Sequence, residues 1–138
     1  MILGMKLFIL LTLKVSFSAS SDFEVYPVIF SDGTEGNWVF HIDKESLWLD
    51  FGARQVSKYK TAVAFCEKNE MKVPSFSEVQ SVRGIKEYLL AETYWIFEDR
   101  AWGSLDIDDR ALEWSPTYFI SWLFKSKRGH SVICIRRD

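Results

Sequence analysis

The chain has 138 residues, two cysteines and a formal net charge of −2, and aromatic residues make up 16% of it. This length suits one domain, and the aromatic content supplies ample apolar material for a core. A net negative charge argues against nucleic acid as a partner, because duplex binding depends on a surplus of lysine and arginine that neutralises phosphates.

The amino terminus resembles a secretory signal peptide. From Met5, "MKLFILLTLKVSFSAS" has a basic start, a short apolar run and a small-residue exit. We predict a signal peptide at residues 1–20 and a single domain at 21–138, exported to the periplasm or the extracellular space. The apolar run is shorter than the roughly 20 residues of a membrane-spanning helix, so no span is expected in the mature chain.

The two cysteines are expected to pair with each other. Exported chains fold where thiols become oxidised, so Cys66 and Cys134 predict one disulfide. Zinc binding is the alternative, but His41 and His130 do not stand at zinc-motif spacing from either cysteine. No metal and no cofactor are therefore expected.

The first half of the domain reads as strands followed by two helices. "FEVYPVIF", "NWVFHI" and "LWLDFG" predict an antiparallel ladder. Ser57 is a plausible cap for a first helix, whose buried stripe holds four residues at helical spacing: Tyr59, Ala62, Val63 and Cys66.

After a short extended stretch, Ser75 and Glu78 predict a capping box for a second helix. Its apolar face consists of Phe76, Val79 and Val82, and Gly84 supplies a stop. Residues 85–92 are compatible with one or two further helical turns.

The second half reads as β-structure. The segments are "TYWIFED", "AWGSLDIDD", "ALEWSP", "YFISWLF" and "GHSVICIRR". In the last segment Val132 and Cys134 share one face while Ile133 and Ile135 share the other, as in a strand buried on both sides. The predicted fold class is α+β, with two helices packed on small antiparallel sheets.

The order of these segments resembles the C-type-lectin-like fold, and more narrowly the bacterial lectin-like domains that end collagen-like adhesins. The resemblance rests on "AVAFCE", "KVPSFSEV", "YWIFED", "AWGSLDIDD" and "VICIRR". It implies a disulfide from the first helix to the last strand, and a ligand-binding module rather than an enzyme. The chain lacks the Glu-Pro-Asn, Gln-Pro-Asp and Trp-Asn-Asp triplets of animal calcium-dependent lectins, so ligand binding without calcium is expected.

The carboxylates of "EDRAWGSLDIDD" have two interpretations. As calcium needs six to eight oxygen ligands, they are a possible cation site, although the segment lacks the glycine and distal glutamate of an EF-hand loop. The alternative is an ordinary solvated strand. The residues concerned are Glu98, Asp99, Asp106, Asp108 and Asp109.

Two further features of residues 97–130 suggest ligand contacts. Arg100 with Trp102, and separately Trp114, offer surfaces for a sugar or a peptide, with core packing as the alternative for either tryptophan. A basic cluster would attract an acidic polysaccharide, unless it is only a solvated loop. It consists of Lys125, Lys127 and Arg128.

These observations predict an exported module that binds a surface glycan or protein through residues 97–130. The predicted ligand-binding residues are Glu98, Asp99, Arg100, Trp102, Trp114, Lys125, Lys127 and Arg128. The alternative is a periplasmic structural or inhibitory subunit that docks to a partner protein. No nucleophile elbow or phosphate-binding glycine loop occurs, and the cysteines are committed to a bond, so an enzyme is not expected.

Overall fold

The computed structural model describes residues 22–99, 111–117, 120–122 and 129–137. These residues form seven strands, two α-helices and one 3-10 helix. The strands are β1 (Phe23–Ile29), β2 (Glu35–His41), β3 (Ser46–Val56), β4 (Tyr94–Phe97), β5 (Ala111–Ser115), β6 (Ile120–Trp122) and β7 (His130–Arg137). The helices are α1 (Tyr59–Lys68), α2 (Phe76–Gln80) and the 3-10 helix (Arg83–Tyr88).

All seven strands belong to one sheet, in the order β1-β2-β3-β7-β4-β5-β6. The predicted α+β class is confirmed, but the sheet is mixed rather than antiparallel. The exception is β4, which runs parallel to β7 and pairs with it only at Tyr94 and Ser131. Parallel neighbours need a crossover connection, and here the chain passes through β5 and β6 between β4 and β7.

Strand β7 is buried on both faces, as its sequence predicted. Val132 and Cys134 pack on the side of α1, whereas Ile133 and Ile135 pack on the side of α2 and the 3-10 helix. The sheet therefore separates two cores, each covered by one helical segment.

Helix α1 is tied to β7 by the predicted disulfide between Cys66 and Cys134. The bond closes a loop with a sequence separation of 68. On the chain-entropy model, such a loop stabilises the folded state by roughly 4 kcal/mol. The predicted cap at Ser57 is wrong: the helix begins after Lys58, which makes no capping hydrogen bond through its side chain.

The second helix starts as predicted but stops earlier. Ser75 and Glu78 form both hydrogen bonds of a capping box. The helix ends at Gln80, ahead of the expected stop at Gly84, and the chain continues as a 3-10 helix that covers part of residues 85–92.

A buried carboxylate fixes the approach to β4. Asp50 is fully buried and accepts hydrogen bonds from the backbone N–H groups of Gly52 and Leu90, both at 2.8 Å, and from the Tyr94 hydroxyl at 2.9 Å. The Tyr94 oxygen in turn accepts from the Ala91 N–H. Burial raises the pKa of Asp50, while the three hydrogen bonds act in the opposite direction.

Candidate functional site

The segment between the two α-helices fills a gap in the sheet. Beyond the single contact between β4 and β7, residues 71–75, here called the link, lie between the end of β4 and the second half of β7. Lys72 exchanges two backbone hydrogen bonds with Ile135, at 3.0 and 2.7 Å, and the Phe97 N–H donates to the Pro74 carbonyl at 2.9 Å. The link is therefore held as firmly as a short strand.

Both ends of the link are anchored as well. At its start, the Met71 N–H donates to the carbonyl of the disulfide-bonded Cys66 at 2.9 Å. At its end, Ser75 caps α2. A surface built on this segment is preorganised, because its supports are covalent or hydrogen-bonded.

Two adjoining concavities open along the link, and we call them together the link groove. Their volumes are about 400 and 410 Å³, and they share Lys72, Ser75 and Asp99. The apolar end is lined by Tyr59, Val63, Met71, Val73 and Phe97, together with the exposed Glu67. The charged end is lined by Lys44, Ser77, Glu78, Ser81 and Arg137 in addition to the shared residues.

Among the described residues of the charged end, cations outnumber carboxylates. Glu78 lies 3.5 Å from the Lys72 ammonium and 3.7 Å from the Arg137 guanidinium, while its other oxygen accepts from the Ser75 N–H at 2.8 Å. Lys72 and Arg137 keep side-chain exposures of 66% and 49%, so both remain accessible to a ligand.

Asp99 is the second carboxylate of the charged end, and it is already engaged. One of its oxygens accepts a hydrogen bond from the Ser77 N–H at 3.2 Å. Partial burial, the largest single influence, acts to raise its pKa, but hydrogen bonds from Ser77 and Ser75 together lower it. Asp99 is therefore held as an ion whose hydrogen-bonding capacity is partly spent.

The structure separates the predicted ligand-binding residues. Asp99 lines the link groove, whereas Glu98 is only 5% exposed. Trp114 is 1% exposed and packs beside Tyr94, so the core alternative holds and its predicted role as a ligand-stacking surface is wrong. The other five lie outside the described residues: Arg100, Trp102, Lys125, Lys127 and Arg128. The same is true of the candidate cation ligands Asp106, Asp108 and Asp109.

A second polar cluster joins β4, β5 and β7. The imidazole of His130 is fully buried, with Nδ1 2.9 Å from the Thr93 hydroxyl and Nε2 3.2 Å from the Glu113 carboxylate. A hydroxyl, an imidazole and a carboxylate in this order are the parts of a nucleophilic triad, but they are also a common way to satisfy buried polar groups. Here the Trp95 indole packs nearly perpendicular to the imidazole, with ring centroids 4.6 Å apart, and the imidazole has no exposed surface. This burial favours the structural role.

Sequence reasoning did not find the link groove. Its residues come from the turn between β2 and β3, both α-helices, the link, and the ends of β4 and β7, and no local motif marks their convergence. The one local motif in this region is the capping box that contains Glu78. Lys72 and Arg137 come close to Glu78 only in the folded sheet, so the motif alone does not predict the groove.

Comparisons with known proteins identify no relative: no protein-family model, curated protein or solved structure matches the chain. In the part of the chain that the structure describes, no helix has the length and apolar character needed to cross a membrane. Among the same residues, no three His, Cys, Asp or Glu side chains are grouped so as to hold a metal ion.

Proposed function

We propose that the chain is an exported, C-type-lectin-like binding module that recognises a surface glycan or protein. Recognition uses the link groove together with residues 97–130, which begin at the groove with Phe97 and Asp99. The module works without calcium and catalyses no reaction.

The observation that carries this proposal is the preorganised groove beside a disulfide between the first helix and the last strand. An open groove with one apolar end and one charged end suits recognition of a ligand by contact, because apolar area supplies affinity and fixed polar groups supply specificity. The disulfide agrees with export and with the lectin-like resemblance.

The test is binding of the exported protein to glycan and protein arrays. A variant with Trp102→Ala and Arg100→Ala removes the aromatic and cationic side chains that follow Asp99. The proposal expects reproducible binding to a restricted set of ligands, weakened in the variant while its thermal unfolding is unchanged. Folded protein that binds nothing on either array would overturn it.

A further inference from the structure

The two ends of the link groove impose different chemistry on a ligand. The apolar end presents mainly the half-buried side chains of Val63 and Phe97. Tyr59, Met71 and Val73 also line it but are only 6%, 6% and 8% exposed, and the exposed carboxylate of Glu67 stands at its rim. Among the described residues of this end no aromatic ring is fully exposed as a stacking face for a sugar, and the small open apolar surface suits one aliphatic side chain.

The charged end is complementary to an anion. Lys44, Lys72 and Arg137 face two carboxylates, and both carboxylates already accept hydrogen bonds from the protein. Among the described residues that line this end, cations therefore exceed carboxylates by one, while the exposed Glu67 lies at the other end of the groove. Because the two ends share Lys72, Ser75 and Asp99, one small ligand can reach both of them.

We infer that the link groove binds a protein segment in which an aliphatic side chain stands next to a carboxylate. This inference rests on the proposed binding function and assigns the ligand class. The aliphatic side chain enters the apolar end, and the carboxylate lies between Lys72 and Arg137, where it displaces water and weakens their shared contact with Glu78.

The probes are three small compounds that separate the two requirements. N-acetyl-leucine has both groups, N-acetyl-leucinamide lacks the carboxylate, and N-acetylglycine lacks the aliphatic side chain. Titration into isotope-labelled protein, followed by amide chemical shifts, gives both the affinity and the location of binding. We expect N-acetyl-leucine to bind about two- to fivefold more tightly than the amide, the size of one exposed ion pair.

Two substitutions and one control assign the contacts. Lys72→Met keeps most of the stem but removes the charge, so it should abolish the preference for the carboxylate. Val63→Ala, at a half-buried position of α1, should weaken N-acetyl-leucine and its amide alike. Lys86→Met, at an exposed position of the 3-10 helix that lines neither concavity, should change neither.

The outcomes separate this inference from the proposed function. Equal binding of the leucine acid and amide, or shifts confined to residues outside the groove, overturns the inference. Array ligands that bind Lys72→Met and the wild type equally also overturn it, yet leave the binding function standing. If the arrays and the probes both fail on folded protein, the two proposals fall together.

Discussion

Replacement of Asp50 by asparagine tests the buried network that holds the approach to β4. The carboxylate accepts from three donors, two on one oxygen and one on the other. An asparagine oxygen can keep Gly52 and Tyr94, but its amide nitrogen then faces the Leu90 N–H, donor against donor. At low pH, where the protonated carboxyl can still accept from Leu90 through its hydroxyl oxygen, the asparagine loses one buried hydrogen bond and leaves one donor unsatisfied, which costs about 1–3 kcal/mol. For a domain of this size, that lowers the midpoint of thermal unfolding by about 4–12 °C.

Urea unfolding monitored by tryptophan fluorescence measures the effect, with the exposed Asp43→Asn as a control that should change stability by less than about 0.5 kcal/mol. The pH dependence gives the sharper test. Burial raises the pKa of Asp50 above its usual 3.8, so its stabilising contribution is present below about pH 3.8 and is lost as the pH rises through the folded-state pKa. The stability gap between wild type and Asp50→Asn should therefore narrow as the pH rises, and a widening gap would refute the reasoning.

Three further substitutions test other parts of the fold. Gly52→Ala should destabilise more than Gly33→Ala in urea unfolding. Both glycines have positive φ, but only at Gly52 would a Cβ collide with a backbone oxygen, that of Glu35. Burial lowers the pKa of His41, so its contribution to the free energy of unfolding is lost as the pH falls below about 6.5. His41→Phe should therefore make the free energy of unfolding depend less on pH between about pH 7.5 and 5.5, and an unchanged slope would contradict this. Ser75→Ala should cost about 1 kcal/mol through loss of the α2 cap, with the exposed Ser57→Ala as the control, and equal losses would argue against the capping role.

Local patterns predicted the elements that depend on local contacts. The capping box at Ser75 is encoded within four residues, and the buried side of α1 follows from helical spacing, with Tyr59, Ala62 and Cys66 all in the core. The two-sided burial of β7 was equally visible, because apolar residues occupy both alternating faces of it.

Features that depend on contacts between distant segments could not be predicted. The pairing of β3 with β7 shifts register between Asp50 and Gln55, where Gly52 has φ +73°. At this irregularity the backbone of Glu35 on β2 lies close to Gly52, and no motif in the sequence of β3 predicts that contact. The local sequence around Trp114 likewise does not show whether its side chain faces solvent or the core. Its burial depends on the pairing of β5 with β4.

The measurement that tests the central claim most directly is the intact mass of the protein isolated from its native compartment, before and after reduction, with thiols blocked each time. The account predicts a chain cleaved after Ser20 that gains two blocking groups only after reduction, because Cys66 and Cys134 are bonded. An uncleaved chain that gains both groups without reduction would contradict export. It would also remove the covalent anchor on which the preorganised link groove depends.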